Sequence, residues 1–205
     1  FSTSLGEEDQ AITHLIAAKQ LPISVFTLDT GRMFQETYDL LHLTRLHYKN
    51  PIQVYFPDNH QVEEYVQQNG INGFYDSIEN RKQCCHIRKV VPLKRALQGA
   101  EVWITGLRQS QSANRVTMQR AVWDDDYKLI KYNPSVDWSD DQLHEFIGAN
   151  KIPVNTLHKK GYPSIGCAPC TRAIMPGEDA RAGRWWWESS AKECGLHATV
   201  IKQNA

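Results

Sequence analysis

Apolar and polar positions along the chain switch between two periods. Short β-branched and aromatic runs occur at 23–28, 52–56, 102–105 and 127–132. Each is closed by a turn signal: Asp29-Thr30-Gly31, Pro57-Asp58, Gly106 and Asn133-Pro134. Runs of this length and residue type predict buried strands. The polar segments between them carry a helical spacing and predict helices near 7–20, 33–48, 60–69, 86–98 and 139–149. Ser139 with Gln142 forms a capping box for the last. The chain opens on Phe1-Ser2, which is expected to be the stub of a first strand, most of it missing. Strand–helix alternation predicts an α/β fold, with a mostly parallel sheet flanked by helices. From about residue 155 the pattern changes to glycine, proline, cysteine and Trp185-Trp186-Trp187. The chain therefore reads as one domain, a body over 1–154 and a C-terminal extension over 155–205 that folds over the sheet edge.

Length and composition bound the function without choosing it. The 205 residues suffice for a real core, and 41% are hydrophobic. Lys plus Arg balances Asp plus Glu at 23 each, so net charge gives no support to a nucleic-acid surface. No apolar run reaches the roughly 18 residues of a membrane span. Cysteine is the informative residue type. Five occur, as Cys84-Cys85, Cys167-Ala168-Pro169-Cys170 and a lone Cys194. Adjacent and CxxC spacings argue against a secreted disulfide framework and for a reducing cytoplasm.

The two pairs are spaced like ligands of one centre, which four thiolates could build as tetrahedral zinc or as a four-iron four-sulfur cluster, with unrelated or disulfide-forming cysteines as the remaining alternative. Adjacent cysteines project in divergent directions, which suits a bulky cluster better than one ion. Lys89 lies four residues after Cys85, on the same face if the segment is an α-helix, where it would offset the cluster's negative charge. Arg88, Lys89 and Lys94 would otherwise make an ordinary solvated helix face. Cys194 stands in Lys192-Glu193-Cys194-Gly195-Leu196-His197, a setting for a nucleophile with His197 as proton partner, although a lone cysteine near the end of a sequence is usually incidental. Gly183 and Gly195 are candidate hinges.

Three loops have the makings of an anion site. In Ser2-Thr3-Ser4-Leu5-Gly6-Glu7-Glu8-Asp9, small residues at a helix start expose backbone N–H groups, although a simple helix cap explains them equally. Leu28-Asp29-Thr30-Gly31-Arg32 follows a strand, where open α/β sheets bind ligands, and could equally be a tight turn. The loop from Gly106 to Arg115 is polar and basic. Arg181 and Arg184 beside the tryptophans offer guanidinium forks suited to phosphate or sulfate.

Together, Ser-Thr-Ser-Leu-Gly-x-Glu-Asp, Leu-Asp-Thr-Gly-Arg, Cys-Cys-x-x-Arg-Lys-x-x-Pro-Leu, Gly-x-Arg-x-x-Gln-Ser, Ile-Gly-Cys-x-Pro-Cys-Thr-Arg, Gly-Arg-Trp-Trp-Trp-Glu and Lys-Glu-Cys-Gly-Leu-His resemble the iron–sulfur branch of the sulfonucleotide reductases, the assimilatory adenylylsulfate reductases. The resemblance implies an adenine-nucleotide α-hydrolase-like sheet. It implies reduction of adenylylsulfate to sulfite and AMP, with thioredoxin or a glutaredoxin-like protein as reductant. It assigns Cys84, Cys85, Cys167 and Cys170 to one [4Fe-4S] cluster and Cys194 to the nucleophile. It gives Lys89, Arg115, Arg181 and Arg184 to the phosphosulfate, and the loops at Ser2, Thr3, Ser4, Gly6, Glu8 and Asp9 and at Leu28, Asp29, Thr30, Gly31 and Arg32, with Gly106, to the nucleotide. Relatives acting on 3′-phosphoadenylylsulfate generally lack both cysteine pairs, so the pairs favour the unphosphorylated substrate, with the phosphorylated one as the alternative. Gln109-Ser110 departs from the family's basic-acidic pair. A homo-oligomeric assembly is compatible with the resemblance. A pyrophosphate-releasing adenylating enzyme would want Ser-Gly-Gly-x-Asp-Ser, which this chain does not have; a non-enzymatic zinc module is the other rival.

Overall fold

The computed structural model describes residues 1–112 and 115–188. In chain order it contains α1 (Glu7–Ala18), β1 (Val25–Leu28), α2 (Gln35–Tyr48), β2 (Ile52–Tyr55), α3 (Asn59–Asn69), α4 (Ile78–Cys85), α5 (Val91–Ala96), β3 (Val102–Ile104), β4 (Ala121–Asp124), β5 (Leu129–Tyr132) and α6 (Asp140–Asn150). β1 pairs parallel with β2, and β3 pairs parallel with β5. β4 lies antiparallel on the outer side of β5. The Phe1-Ser2 stub joins the two groups. Ser2 bridges Phe26 in parallel, and its N–H donates to the Ile104 carbonyl at 3.2 Å. The sheet is thus mostly parallel with an antiparallel edge that the sequence reading did not contain.

Two layers of side chains hold the body. Ile12, Ile16, Val25 and Ile52 pack around Phe1 on the α1 face. Phe26, Leu93, Leu97, Trp103 and Leu129 pack between the sheet and α5. Fully buried Lys131 in β5 places its Nζ 4.7 Å over the Trp103 ring, and burial lowers its pKa to about 8. The Ser139–Gln142 capping box opens α6 as its sequence predicts.

One helix differs from expectation in a way that matters. The helix starts at Ile78, capped by Ser77, and not near residue 86, so Cys84 and Cys85 lie inside the last turn of α4 instead of ahead of the first helical turn. A wide π turn, His86–Val90, then leads into α5. Pro92 sits in the first turn of α5. It has no N–H to offer the Arg88 carbonyl, and its ring crowds that carbonyl, which a wider turn relieves. The turn breaks the α-helical register expected to put Cys85 and Lys89 on one face. Beyond Asn150 the extension has little regular structure, with short 3₁₀ turns at Thr156–Lys160 and Ala168–Cys170 and a bridge between Thr171 and Arg184. It packs on the loop after β1 and on α4. Ala168 N–H donates to the Arg32 carbonyl at 2.8 Å, and Tyr75 Oη to the Pro169 carbonyl at 2.5 Å.

Candidate functional site

A cleft of about 680 Å³ opens where the loops after the stub, β1 and β3 meet the extension. This is the carboxyl end of the parallel strands, the usual ligand position in such sheets. Its two ends carry opposite chemistry.

The acidic end is built by the Ser2–Asp9 loop. Leu5, buried, takes a left-handed φ of 63°, and its N–H donates to Thr3 Oγ1 at 3.0 Å. Asp9 Oδ2 accepts from Ser4 N–H at 2.6 Å and from Ser4 Oγ at 2.7 Å. The loop was expected to offer free N–H groups to an anion, but the Ser4 donor is already taken by the protein's own carboxylate. Glu8 accepts from Gln111 Nε2 at 2.6 Å. Burial raises both carboxyls. Asp9 is pushed to about 7, with the Glu8 charge adding to burial, while Arg108 and His158 partly offset the rise at Glu8. Gly106 is required here, because a Cβ on it would lie 2.0 Å from Asp9 Oδ1.

The basic end is built by the π turn and the extension. Lys89, Arg181 and Arg184 line the cleft here, as does Cys167, while Arg115 lines it from the loop after β3, where its Nη1 donates to Gln111, the residue that holds Glu8. Arg184 is 7% exposed, and its Nε has no hydrogen-bond partner among the described residues. Its Nη1 donates to the Ile165 carbonyl at 3.2 Å. Gly166 makes room for it, since a Cβ there would lie 2.3 Å from Arg184 Nη2. At Gly183 a Cβ would lie 2.2 Å from the Arg172 carbonyl oxygen, so close backbone approach by itself requires glycine there.

Behind the basic end, Cys84, Cys85, Cys167 and Cys170 are free thiols in one apolar cluster with Tyr65, Phe74 and Trp185. Burial raises the Cys84 thiol and pushes Cys170 up to about 12, with Cys167 adding to both. Arg88 opposes the rise at Cys84, and Lys89 and Arg184 oppose it at Cys170. Among the described residues, no group of three His, Cys, Asp or Glu side chains is placed to hold a metal ion. Thr30 Oγ1 lies 3.3 Å from Cys167 Sγ.

Of the residues singled out in sequence, Ser2, Thr3, Ser4, Gly6, Glu8 and Asp9 line the cleft, with Leu28, Thr30 and Gly106. Asp29, Gly31 and Arg32 do not. Asp29 Oδ1 accepts from Gly31 N–H at 2.7 Å and from Tyr38 Oη at 2.9 Å, closing the turn. Arg32 turns away to the Ile71 carbonyl and Asn72 Oδ1, over the Phe74 ring. Cys194, Gly195 and His197 lie outside the described residues. Arg88, which the motif contains without a role and for which a solvated helix face was the alternative, is buried and donates to the Thr30 carbonyl at 2.7 Å. Arg108, in the loop that the sequence marks as polar and basic, is bound to Asp140 Oδ1 at 2.7 Å, and His158, which no motif singles out, lines the cleft as well.

Comparison with known proteins agrees with this geometry. Residues 1–173 match the phosphoadenosine phosphosulfate reductase domain. The chain is 51% identical over 204 residues to "Adenosine 5'-phosphosulfate reductase" of Agrobacterium fabrum, covering 99% of this chain and 78% of that protein. It is 54% identical to the protein of that name from Sinorhizobium fredii strain NBRC 101917 / NGR234, covering 96% and 79%. Among solved structures it resembles phosphoadenylyl-sulfate reductase from Candida auris in a phosphate complex, at TM-score 0.72 and 26% identity over 84% of this chain and 81% of that one. Candida glabrata FMN adenylyltransferase, in complex with FAD and inorganic pyrophosphate, shares the fold alone, at TM-score 0.58 and 13% identity over 100% and 72%.

Proposed function

The chain belongs to the phosphoadenosine phosphosulfate reductase family, and from that premise we propose that it reduces adenylylsulfate to sulfite and AMP at the expense of a thioredoxin-like dithiol. One observation carries the reading: four basic side chains and a wall of the four-thiol cluster face one nucleotide-sized cleft at the strand ends. The name shared by relatives about half identical supports the unphosphorylated substrate.

The donor set fits a four-iron four-sulfur cluster. Four free thiols share an apolar pocket flanked by Arg88, Lys89 and Arg184, and in such a cluster each thiolate binds its own iron, so no three need converge on one ion. Bound there by Cys84, Cys85, Cys167 and Cys170, it would supply a fixed negative centre whose field the nearby cations shape.

The chain's own residues perform the rest. The reacting sulfate is anionic and so is a thiolate. Lys89, Arg115, Arg181 and Arg184 offset that repulsion and stabilise the departing AMP phosphate. The Cys194 thiolate attacks the sulfate sulfur. An S–S bond forms, the S–O bond to AMP breaks, and AMP leaves with the electron pair. A thiolate of the reductant then attacks Cys194 Sγ, forming a mixed disulfide and releasing sulfite, and the second thiol of the dithiol attacks that mixed disulfide, closing its own disulfide and freeing Cys194 as the thiolate. The sulfur is reduced and the dithiol is oxidised. Such thiol chemistry fits a reducing cytoplasm.

Anaerobically purified protein should contain about four irons per chain. With reduced thioredoxin it should release AMP and sulfite in equal amounts, with higher kcat/KM for adenylylsulfate than for its 3′-phosphorylated form. Stoichiometric zinc would overturn the cluster, and the opposite substrate preference would overturn the substrate assignment.

A further inference from the structure

The basic end contains a buried carboxylate that does not pair with the cation it might be expected to neutralise. Glu188 lies four residues beyond Arg184, but it is held by Arg81 of α4. Arg81 Nε and Nη2 donate to the two Glu188 carboxylate oxygens at 2.8 Å each, and the two side chains are 5% and 4% exposed. Between the two arginines stands Trp185, 1% exposed, with a left-handed φ of 39°. Arg81 Cζ lies 4.8 Å from the Trp185 ring centroid and Arg184 Cζ 4.9 Å. The two guanidinium carbons are therefore no more than about 10 Å apart.

This arrangement is costly unless it serves something. Two like charges share one aromatic ring, and a bidentate carboxylate pair is buried, which often contributes little net stability. Arg184 has no carboxylate partner among the described residues, and its Nε–H is unsatisfied and buried beside the cleft. Backbone bonds hold the unit in place: Trp185 N–H donates to the Cys170 carbonyl at 3.0 Å and Glu188 N–H to the Trp185 carbonyl at 2.9 Å.

We propose that Arg81 is a positioning residue that sequesters Glu188, so that the charge of Arg184 stays available to the anionic end of the substrate. The inference rests on the reading that Arg184 meets that anion. Arg81 touches neither cleft nor substrate; it acts by satisfying a carboxylate that would otherwise lower the positive potential at Arg184. Loss of the Arg81 charge, no more than about 10 Å from Arg184, makes this partly desolvated site more negative by one charge, which changes anion affinity about tenfold.

The two halves of the ion pair should then respond unequally. With the iron-loaded enzyme and adenylylsulfate, Arg81→Met should lower kcat/KM about tenfold, mainly through KM. Glu188→Gln, which removes the carboxylate, should leave substrate affinity undiminished. The double variant Arg81→Met with Glu188→Gln should recover most of what Arg81→Met loses, although it has no ion pair. Equal losses in the two single variants, or a double variant no better than Arg81→Met, would show an ordinary structural salt bridge and overturn the proposal. If Arg81→Met does not fold, Arg81→Gln and the direct AMP affinity of Glu188→Gln decide the same asymmetry. Arg184→Ala separates this from the underlying reading: unchanged KM in that variant would remove Arg184 from the anion site, whatever Arg81 does.

Discussion

The two ends of the cleft are held by different means. The acidic end rests on regular structure, with the stub, β1 and β3 delivering Ser4, Thr30 and Gly106 through ladder hydrogen bonds and Asp9 tying the first loop to itself. The basic end rests on an extension with almost no repeating backbone pattern. It is fixed by side chains: the Arg81–Glu188 fork, the Trp185 ring between two guanidinium groups, and Asn155 Nδ2 donating to Thr37 Oγ1 at 3.1 Å. A sheet positions loops cheaply but limits where charge can stand. An irregular extension can crowd cations and thiols together, and it becomes sensitive to single atoms.

The largest effect should come from Lys89, which lines the cleft and whose charge reaches Cys170. Lys89→Ala should keep its iron and lose about 10²–10³ in kcat, the scale of a lost preorganised donor. Iron-replete Lys89→Ala protein with wild-type turnover would return this residue to the surface. Next is Gly166→Ala. One methyl at a closest approach of 2.3 Å would push the Arg184 guanidinium aside. It should cut kcat/KM by up to about 10²-fold with little change in melting temperature, because the displaced group is the end of a long side chain. A wild-type kcat/KM would mean that Arg184 has slack.

Much of the acidic end was legible in sequence and much of the basic end only by motif. The runs at 23–28 and 102–105 became β1 and β3, each a little shorter, because β-branched and aromatic positions report burial directly. The motif residues Lys89, Arg115, Arg181 and Arg184 do share the cleft. Of Asp29-Thr30-Gly31-Arg32 only Thr30 lines the cleft, and the sequence did not separate them because such a turn looks alike whether it faces a ligand or closes on itself. The π turn was invisible, since a single wide turn has no period to read. Arg88 was left without a role because only tertiary packing distinguishes a buried arginine from a solvated one.

A smaller effect sharpens the electrostatic contrast. Asp9 holds its proton to about 7 when folded, against 3.8 for the ordinary carboxyl, so the folded protein binds more protons than the unfolded chain between those values. Stability should fall as pH rises across that window. Asp9→Asn should reduce that slope by up to about 1.4 kcal/mol per pH unit in denaturant titrations. An unchanged slope would mean that Glu8 carries it alone. The smallest effect belongs to Arg32. Arg32→Ala removes bonds to the 71–72 loop and the stack on Phe74. It should cost about 1 kcal/mol of stability and leave KM for adenylylsulfate unchanged. A raised KM would restore this residue to the nucleotide site.

The central claim is that the cleft delivers a sulfonucleotide to Cys194 while the other four cysteines serve the cluster. Peptide mass spectrometry after mixing iron-loaded protein with adenylylsulfate, without reductant, tests it most directly. The account predicts one added SO₃ group on the Cys194 peptide, AMP released in equal amount, iron retained, and loss of the adduct as sulfite on addition of thioredoxin. An adduct on Cys84, Cys85, Cys167 or Cys170, or AMP release without any adduct, would contradict it.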